Sequence, residues 1–388
     1  MNRRRIGLLT VAHLFTDINQ GALPALLPLL IARHDLSYAA AAAVVFSSNV
    51  ASTVVQPAFG MLADRGSRTW LMPLAVILAC LGLGATGLAP TYALVLLAAT
   101  VCGTGVAAFH PVAARLVNLN SGEQKAGAMS VFGVGGTLGF TLGPILAALA
   151  MGWWGLKGSA ALAVPGCAVA LAVALVFFRE SGGVAASARK SAQAPAGRAA
   201  WKPFLRLSGA IVGRSMLFFG YNTFIPLYWM HVLGQSQQAG ATALAVFAGS
   251  TVVGSLAGGR LADRYSQPRI ILYCFLSMIP LLPAFLLLDT PAAALGVLVL
   301  LGLALSVPYS AMIVLGQDYL PGRLGLSSGV TLGLAISIGG IAAPLMGMVA
   351  DAHGLRPALA LTLVLPLFSA AMAWGLPRAE EAVAEPAR

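Results

Sequence analysis

Few side chains in this sequence could do chemistry, and they stand where they are expensive to place. His13, Asp17, Asn19 and Gln20 fall within HLFTDINQG, a polar patch inside an apolar run. An ionised group at the centre of a bilayer costs roughly 2.5–3.5 kcal/mol on insertion scales, so such groups normally turn inward and serve function. His13 and Asp17 are four residues apart, on one face of a helix. At 1.5 Å per residue Asp17 lies roughly 16 Å along that helix, near mid-bilayer. A carboxyl there can load and unload a proton as water access or a neighbouring charge changes. The imidazoles of His13 and His110 can relay it or add hydrogen-bond donors. Arg115 and Arg214 keep their charge and present forked donors suited to phosphonate or carboxylate oxygens. Tyr309 sits beside Pro308 as His110 sits beside Pro111, and Tyr221 and Asn222 correspond to Asn19 and Gln20. Each residue also has a plainer reading. Asp17 could be a helix-packing partner, Arg115 could reach the inner interface, the two histidines could fill space at helix bends, and the tyrosines could simply pack.

The elements that must position these groups are membrane helices. The 388 residues are 59% hydrophobic and only 9% charged, against about 25% charged in soluble domains. Apolar runs of about 20 residues, the length that crosses hydrocarbon as helix, recur twelve times: near 6–31, 38–62, 70–89, 92–117, 126–150, 157–178, 208–232, 239–261, 270–288, 291–316, 325–350 and 354–376. Alternating ten-residue strands, the signature of an outer-membrane barrel, are absent. The expected class is therefore all-α integral membrane. The net charge of +11 is spread between spans, which excludes a nucleic-acid surface and reports topology instead. With both termini cytoplasmic, all Lys and Arg lie on the inner side except Arg33, Lys157 and Arg356 outside and Arg115 and Arg214 within spans, as the positive-inside rule requires. His13 and Asp17 interrupt the first apolar run, so it is expected to be a retained helix rather than a secretory leader. Cys80, Cys102, Cys167 and Cys274 lack paired or metal-ligand spacing and read as small apolar residues. Neither a metal nor an organic cofactor is expected.

The chain divides into a six-span bundle at 1–178, a cytoplasmic linker at 179–207 rich in Ala, Ser and basic residues, a second bundle at 208–376 and a tail at 377–388. The bundles are pseudo-symmetric. GMLADR at 60–65 returns as GRLADR at 259–264, and Gly133, Gly139 and Pro144 return as Gly333, Gly339 and Pro344. Repeats related by an axis along the membrane normal place a transporter's solute site between the halves near the midplane. Gly60 and Gly259 permit close helix approach. Asp64 and Asp263 suit a neighbouring arginine or helix N-terminus, and Arg65 and Arg264 suit the helix C-termini that they follow.

GMLADRGSR resembles the signature G-x-L-A-D-R-x-G-R of the major facilitator superfamily, with Gly66 and Ser67 exchanged and Arg68 retained; the second copy keeps Asp263 and Arg264. The resemblance implies two six-helix bundles that alternate access, latched by these loops on the cytoplasmic side, with spans 1, 4, 7 and 10 lining the central cavity. HLFTDINQGALPALLPLLI and GTGVAAFHPVAARLV are similar to the fosmidomycin resistance protein family, bacterial exporters of a phosphonate antibiotic. Gly139, Gly143 and Pro144 in GFTLGP resemble a drug/proton antiporter motif. A second antiporter motif is incomplete, because Ala99 stands at its arginine position.

The expectation is a proton-driven exporter of a small anionic antibiotic in the inner membrane of a bacterium, driven by the proton gradient. Asp17 and His13 would couple the proton. His110, Arg115, Arg214, Asn19, Gln20, Tyr221, Asn222 and Tyr309 would bind solute, and Gly60, Asp64, Arg65, Arg68, Asp263, Arg264, Gly139, Gly143 and Pro144 would gate. The expected partners are the solute, protons and lipid, and the chain is expected to act as a monomer. Rival readings within the same fold are a general multidrug/proton antiporter or a metabolite-anion porter. A membrane enzyme would need a nucleophile–base pair or metal motif that is missing, and a sensor would need a signalling module longer than the linker or tail.

Overall fold

The computed structural model describes residues 1–36, 38–65, 70–179 and 199–384. Among these residues every regular element is helical. Eight helical runs are long and apolar enough to cross a membrane, with Lys125–Phe177 counted as one run. Their outward faces carry bare apolar side chains such as Val164, Leu171, Leu205 and Leu287, each at least 60% exposed. Water would not tolerate so much exposed hydrocarbon on a monomer, whereas lipid does.

Two units form separate clusters of contacts. The first gathers the described residues of Met1–Glu123, Val131–Ala196 and Gly322–Leu334; the second gathers Gln124–Ser130, Gly197–Pro321 and Ala335–Arg388. The first unit contains α1 (Arg3–His34), α2 (Tyr38–Asp64), α3 (Leu71–Leu88), α4 (Tyr92–Asn120), most of α5 (Lys125–Trp154) and α6 (Gly158–Arg179). Asn2 caps α1 by accepting from the Arg5 amide at 3.2 Å, so the helix begins in the basic opening segment. Helix α4 packs on α2 and α3, and α3 also packs on α6. A core of Leu23, Leu26, Leu30, Val44, Leu83, Val95, Cys102 and Met151 fills the space between them. Cys102 is part of that core, and all four cysteines are free thiols.

The second unit contains α7 (Trp201–His231), α8 (Gln237–Arg264), α9 (Gln267–Leu287), α10 (Pro291–Ser306), α11 (Tyr309–Tyr319), α13 (Ala335–His353), α14 (Leu355–Ala360), α15 (Val364–Ala373) and α16 (Ala379–Ala384), while the short α12 (Leu324–Ser328) belongs to the first unit. Helix α7 packs on α8, α13 and α15, and α10 on α8 and α9.

Three departures from the sequence reading have local causes. Helix α7 starts at Trp201, inside the expected linker, because Phe204 and Leu207 in WKPFLRL are buried while Lys202 and Leu205 are exposed. The helix expected over 291–316 is broken between α10 and α11, where Pro308 lacks an amide proton and its ring opposes the carbonyl four residues earlier. Pro111 at the matching place leaves α4 unbroken. The helix expected over 325–350 winds as a π-helix over Gly329–Leu334 between α12 and α13. Thr331 there donates its hydroxyl to the Ser327 carbonyl at 2.9 Å. Such wide turns tend to mark functional segments.

Candidate functional site

In the first unit α1 and α4 bring together three titratable side chains. Asp17 Oδ2 lies 3.3 Å from His13 Nε2, and Asp17 Oδ1 lies 3.2 Å from His110 Nε2. The i to i+4 step supplies the first contact; the second needs α4 to pack on α1, as it does. His13 is fixed from its far side, since its Nδ1 lies 2.7 Å from the Phe132 carbonyl oxygen and its ring stacks on Phe132 at 4.1 Å. The two imidazoles meet edge to face at 5.1 Å. His110 Nδ1 is buried without a hydrogen-bond partner, and His110 Nε2 is the ring nitrogen that faces Asp17 Oδ1. The donor atoms of the three residues all lie within 4.8 Å of one another. His110, expected to bind solute, is a member of this cluster.

Helix α5 makes room for the triad. A Cβ on Gly136 would stand 2.5 Å from His13 Nε2 and 2.8 Å from Asp17 Oδ2; one on Gly143 would stand 2.6 Å from the Ile18 carbonyl, and Gly139 meets Leu14 and Asp17 as closely. Gly139 and Gly143 thus act by close approach to α1, and Pro144 is an exposed residue within the same helix. Gly136→Ala is expected to split the His13–Asp17 pair and lower stability by about 1–3 kcal/mol through overpacking. The neighbouring Gly133→Ala, where nothing lies within 4 Å, should stabilise by about 0.5–1 kcal/mol as alanine does in a helix. Thermal unfolding of the two variants in detergent checks the contrast.

Asn19 and Gln20 do not join the triad. The Asn19 amide donates to the Phe15 carbonyl at 2.6 Å and approaches Cys80 Sγ at 3.4 Å, so it is tied to its own helix and to α3. Gln20 donates to Asn49 Oδ1 on α2 at 3.2 Å.

The second unit holds a buried cation. Arg214, 6% exposed on α7, donates Nε–H to the Leu305 carbonyl at 2.5 Å. Its guanidinium lies 4.4 Å over the Tyr309 ring and 5.7 Å from the centre of Phe218. Among the described residues no carboxylate pairs with it. Tyr309 therefore belongs with Arg214, placed there by the break at Pro308. Tyr221, expected to bind solute, is fully buried, its ring 5.5 Å from Phe285. Asn222 beside it is half-buried.

The repeated Asp-Arg loops make two matching contacts. Asp64 accepts from the amides of Gly325 and Leu326 at 2.8 and 2.9 Å, and Asp263 accepts from Ala126 and Gly127 at 2.9 Å each. Each carboxylate satisfies free amides in the first turn of a helix, where the backbone dipole favours negative charge. Gly60 and Gly259 permit the approach: a Cβ on either would strike Gly325 or Ser130 and Ala126. Arg115 lies 3.5 Å from Asp64 and is 12% exposed. Expected to bind solute, it stands at this contact, because the last turns of α4 bring it to the end of α2. Among the described residues no arginine pairs with Asp263; Lys125 pairs with Asp318 at 2.7 Å nearby. Arg65 and Arg264 are exposed, and Arg68 lies outside the described residues.

Asp64→Asn or Asp263→Asn is expected to weaken its helix contact by about 1–2 kcal/mol. A reporter thiol at Ala126→Cys, a fully buried position, should then alkylate roughly 5–30 times faster in the Asp263→Asn background. Maleimide labelling in a background without the native cysteines measures this.

Sequence reasoning missed Phe132, Gly136, Lys125, Asp318 and the bond from Ser130 Oγ to the Ser255 carbonyl at 2.5 Å. Only the glycine pair at 135–136, in a helix facing a charged one, could have signalled its role.

The sequence pattern of the Major Facilitator Superfamily matches residues 9–344. The fosmidomycin resistance protein of Escherichia coli (strain K12) is 30% identical over 376 residues, covering 93% of this chain and 90% of that protein. An uncharacterized transporter of the superfamily from Bacillus subtilis (strain 168), YfnC, is 28% identical over 369 residues with the same coverage. Among solved structures, the fucose:proton symporter of E. coli superposes with a TM-score of 0.74 at 15% identity, covering 97% of this chain and 99% of that one. The human organic anion transporter MFSD10 gives 0.70 at 18% identity, covering 96% and 99%. At those identities the superpositions speak for the fold alone. Fold, sequence pattern and relatives agree: this multi-pass membrane protein belongs to the Major Facilitator Superfamily of transporters.

Proposed function

We propose that this transporter exports a small anionic antibiotic of the phosphonate type in exchange for protons. In this reading twelve spans cross the cytoplasmic membrane of a bacterium with both termini inside, and the working unit is the monomer. The observation that carries it is a division of labour between two buried sites. The His13–Asp17–His110 cluster joins a carboxylate to two imidazoles, each of which can carry a proton on either ring nitrogen. Arg214, clasped by Tyr309 and Phe218 without a carboxylate among the described residues, is a buried positive charge that an anionic solute would neutralise. The likeness to a fosmidomycin resistance protein supports a phosphonate as that anion. The Asp64 and Asp263 contacts act as latches that hold the cytoplasmic ends of α2 and α8 until the cycle releases them.

Proteoliposomes containing the purified protein test the proposal directly. Under an imposed pH gradient a small phosphonate should move against its own gradient, and collapse of the pH gradient should stop it. Lipophilic cations should neither be carried nor compete. Equal transport of phosphonates and lipophilic cations would favour a multidrug antiporter, and phosphonate movement indifferent to the pH gradient would remove the proton from the scheme.

A further inference from the structure

The geometry points to where the exchangeable proton resides: between His13 Nε2 and Asp17 Oδ2, in a net-neutral unit of His13, Asp17 and His110 whose proton count the Phe132 carbonyl fixes. This rests on the proton-coupled reading above for its role in transport but not for its chemistry.

The argument runs from acceptors to protons. A backbone carbonyl can only accept, so the 2.7 Å contact between His13 Nδ1 and the Phe132 oxygen requires a proton on Nδ1. A neutral His13 would then have a bare lone pair on Nε2. That lone pair would face an ionised carboxylate oxygen 3.3 Å away. Two acceptors do not approach so closely in a buried place without a proton between them, carried on Nε2 or on the carboxyl. His110 completes the count. Its Nδ1 is buried without a partner and its Nε2 is 3.2 Å from Asp17 Oδ1, so the neutral ring with hydrogen on Nε2 fits the site, its donor turned to the carboxylate. Imidazolium, carboxylate and neutral imidazole sum to zero charge, the state that burial at 6–9% exposure for His13 and Asp17 favours.

Loading therefore adds a proton from water to His13 Nε2, making an N–H bond from the ring's lone pair. Release breaks that bond, returns the proton to water and leaves the electron pair on nitrogen facing Asp17. The contact then repels, and the pair must separate or Asp17 must find another partner. His110 is a positioning residue, holding the carboxylate in place through its second oxygen. Among the described residues the titratable groups within ion-pair distance of this proton are His13 and Asp17 from α1 and His110 from α4, while α5 supplies the Phe132 carbonyl and no ionisable side chain between Ser130 and Thr141. The side chains of Asp17 and His110 are 13% and 14% exposed, which leaves water a path to the cluster.

Nitrogen NMR of the full-length protein in bilayers, labelled with 15N-histidine, tests this without a transport assay. The His13 resonances are those lost in His13→Gln, with His110→Gln as a second variant in case the first folds poorly. Nδ1 of His13 should be protonated at every pH from 5 to 9. At the acid end either Nε2 is protonated too, or carbon NMR shows Asp17 as the protonated acid; both support the proposal. Bare Nδ1 on His13, or a neutral His13 beside an ionised Asp17 at the acid end, would overturn it. His110→Gln should keep the Nδ1 proton of His13 but alter the pH at which the shared proton leaves; an unmoved titration would remove His110 from the unit. If the NMR pattern holds while phosphonate transport ignores the pH gradient, the proton site stands and the transport reading falls.

Discussion

Asp17→Asn should bind its solute and exchange it across the membrane, yet fail to drive it uphill under an imposed pH gradient. The amide is nearly the size of the carboxyl, so α1, α4 and α5 keep their packing. What it removes is the negative charge that holds a proton on His13. Breaking a buried charge pair from one side costs about 3–5 kcal/mol, and His13 avoids that cost by losing its proton. With His13 neutral, Nδ1–H still donates to Phe132, and the bare Nε2 accepts from the new amide. The cluster is then satisfied without an exchangeable proton, so solute movement loses its coupling. Counterflow, which needs no gradient, should continue, while pH-driven accumulation in proteoliposomes should fall to the level of empty vesicles. Full uphill export by Asp17→Asn would place the coupling proton elsewhere.

How much of this could be read from the sequence differs from residue to residue. The His13–Asp17 contact was legible because helical periodicity alone places residues four apart on one face. That His110 would join them was not, since only the packing of α4 on α1 decides it. Phe132 acts through a backbone carbonyl, which every residue has, so no residue type announces it. Gly136 carries information only once the neighbour that its missing Cβ would strike is known. The Asp64 and Asp263 contacts were legible as repeats: the Asp-Arg pairs recur at one spacing, and so do the helix starts that the carboxylates meet, Ala126 and Gly127 against Gly325 and Leu326. That Arg115 stands beside Asp64 was not legible, because its place in α4 fixes its depth but not the direction of a long side chain. Pro111 and Pro308 look equivalent in sequence, yet only Pro308 breaks its span.

Arg214→Met should weaken phosphonate binding by about 10–150-fold, the worth of one charge-assisted contact at 1.5–3 kcal/mol, while leaving the protein as stable as before or more so. The two expectations together separate a binding role from a structural one. Removing a buried arginine from a carboxylate partner strands the acid and costs about 3–5 kcal/mol. Arg214 has no such partner among the described residues; its neighbours are the Leu305 carbonyl and the faces of Tyr309 and Phe218. Cation–π contact with desolvated rings gives about 2 kcal/mol or more, less than the several kcal/mol that burying an unpaired ion costs. The remainder is a standing cost to the empty protein, and a bound anion would relieve it. Methionine fills similar volume without charge, so the empty protein gains and the complex loses. Arg214→Lys should fall between, because a point charge keeps the attraction but neither stacks on Tyr309 nor grips two oxygens at once. Titration calorimetry with a phosphonate and thermal unfolding of the same preparations read both quantities. A lower melting temperature in Arg214→Met with unchanged affinity would make Arg214 a structural residue, and the anion site would then have to be sought elsewhere.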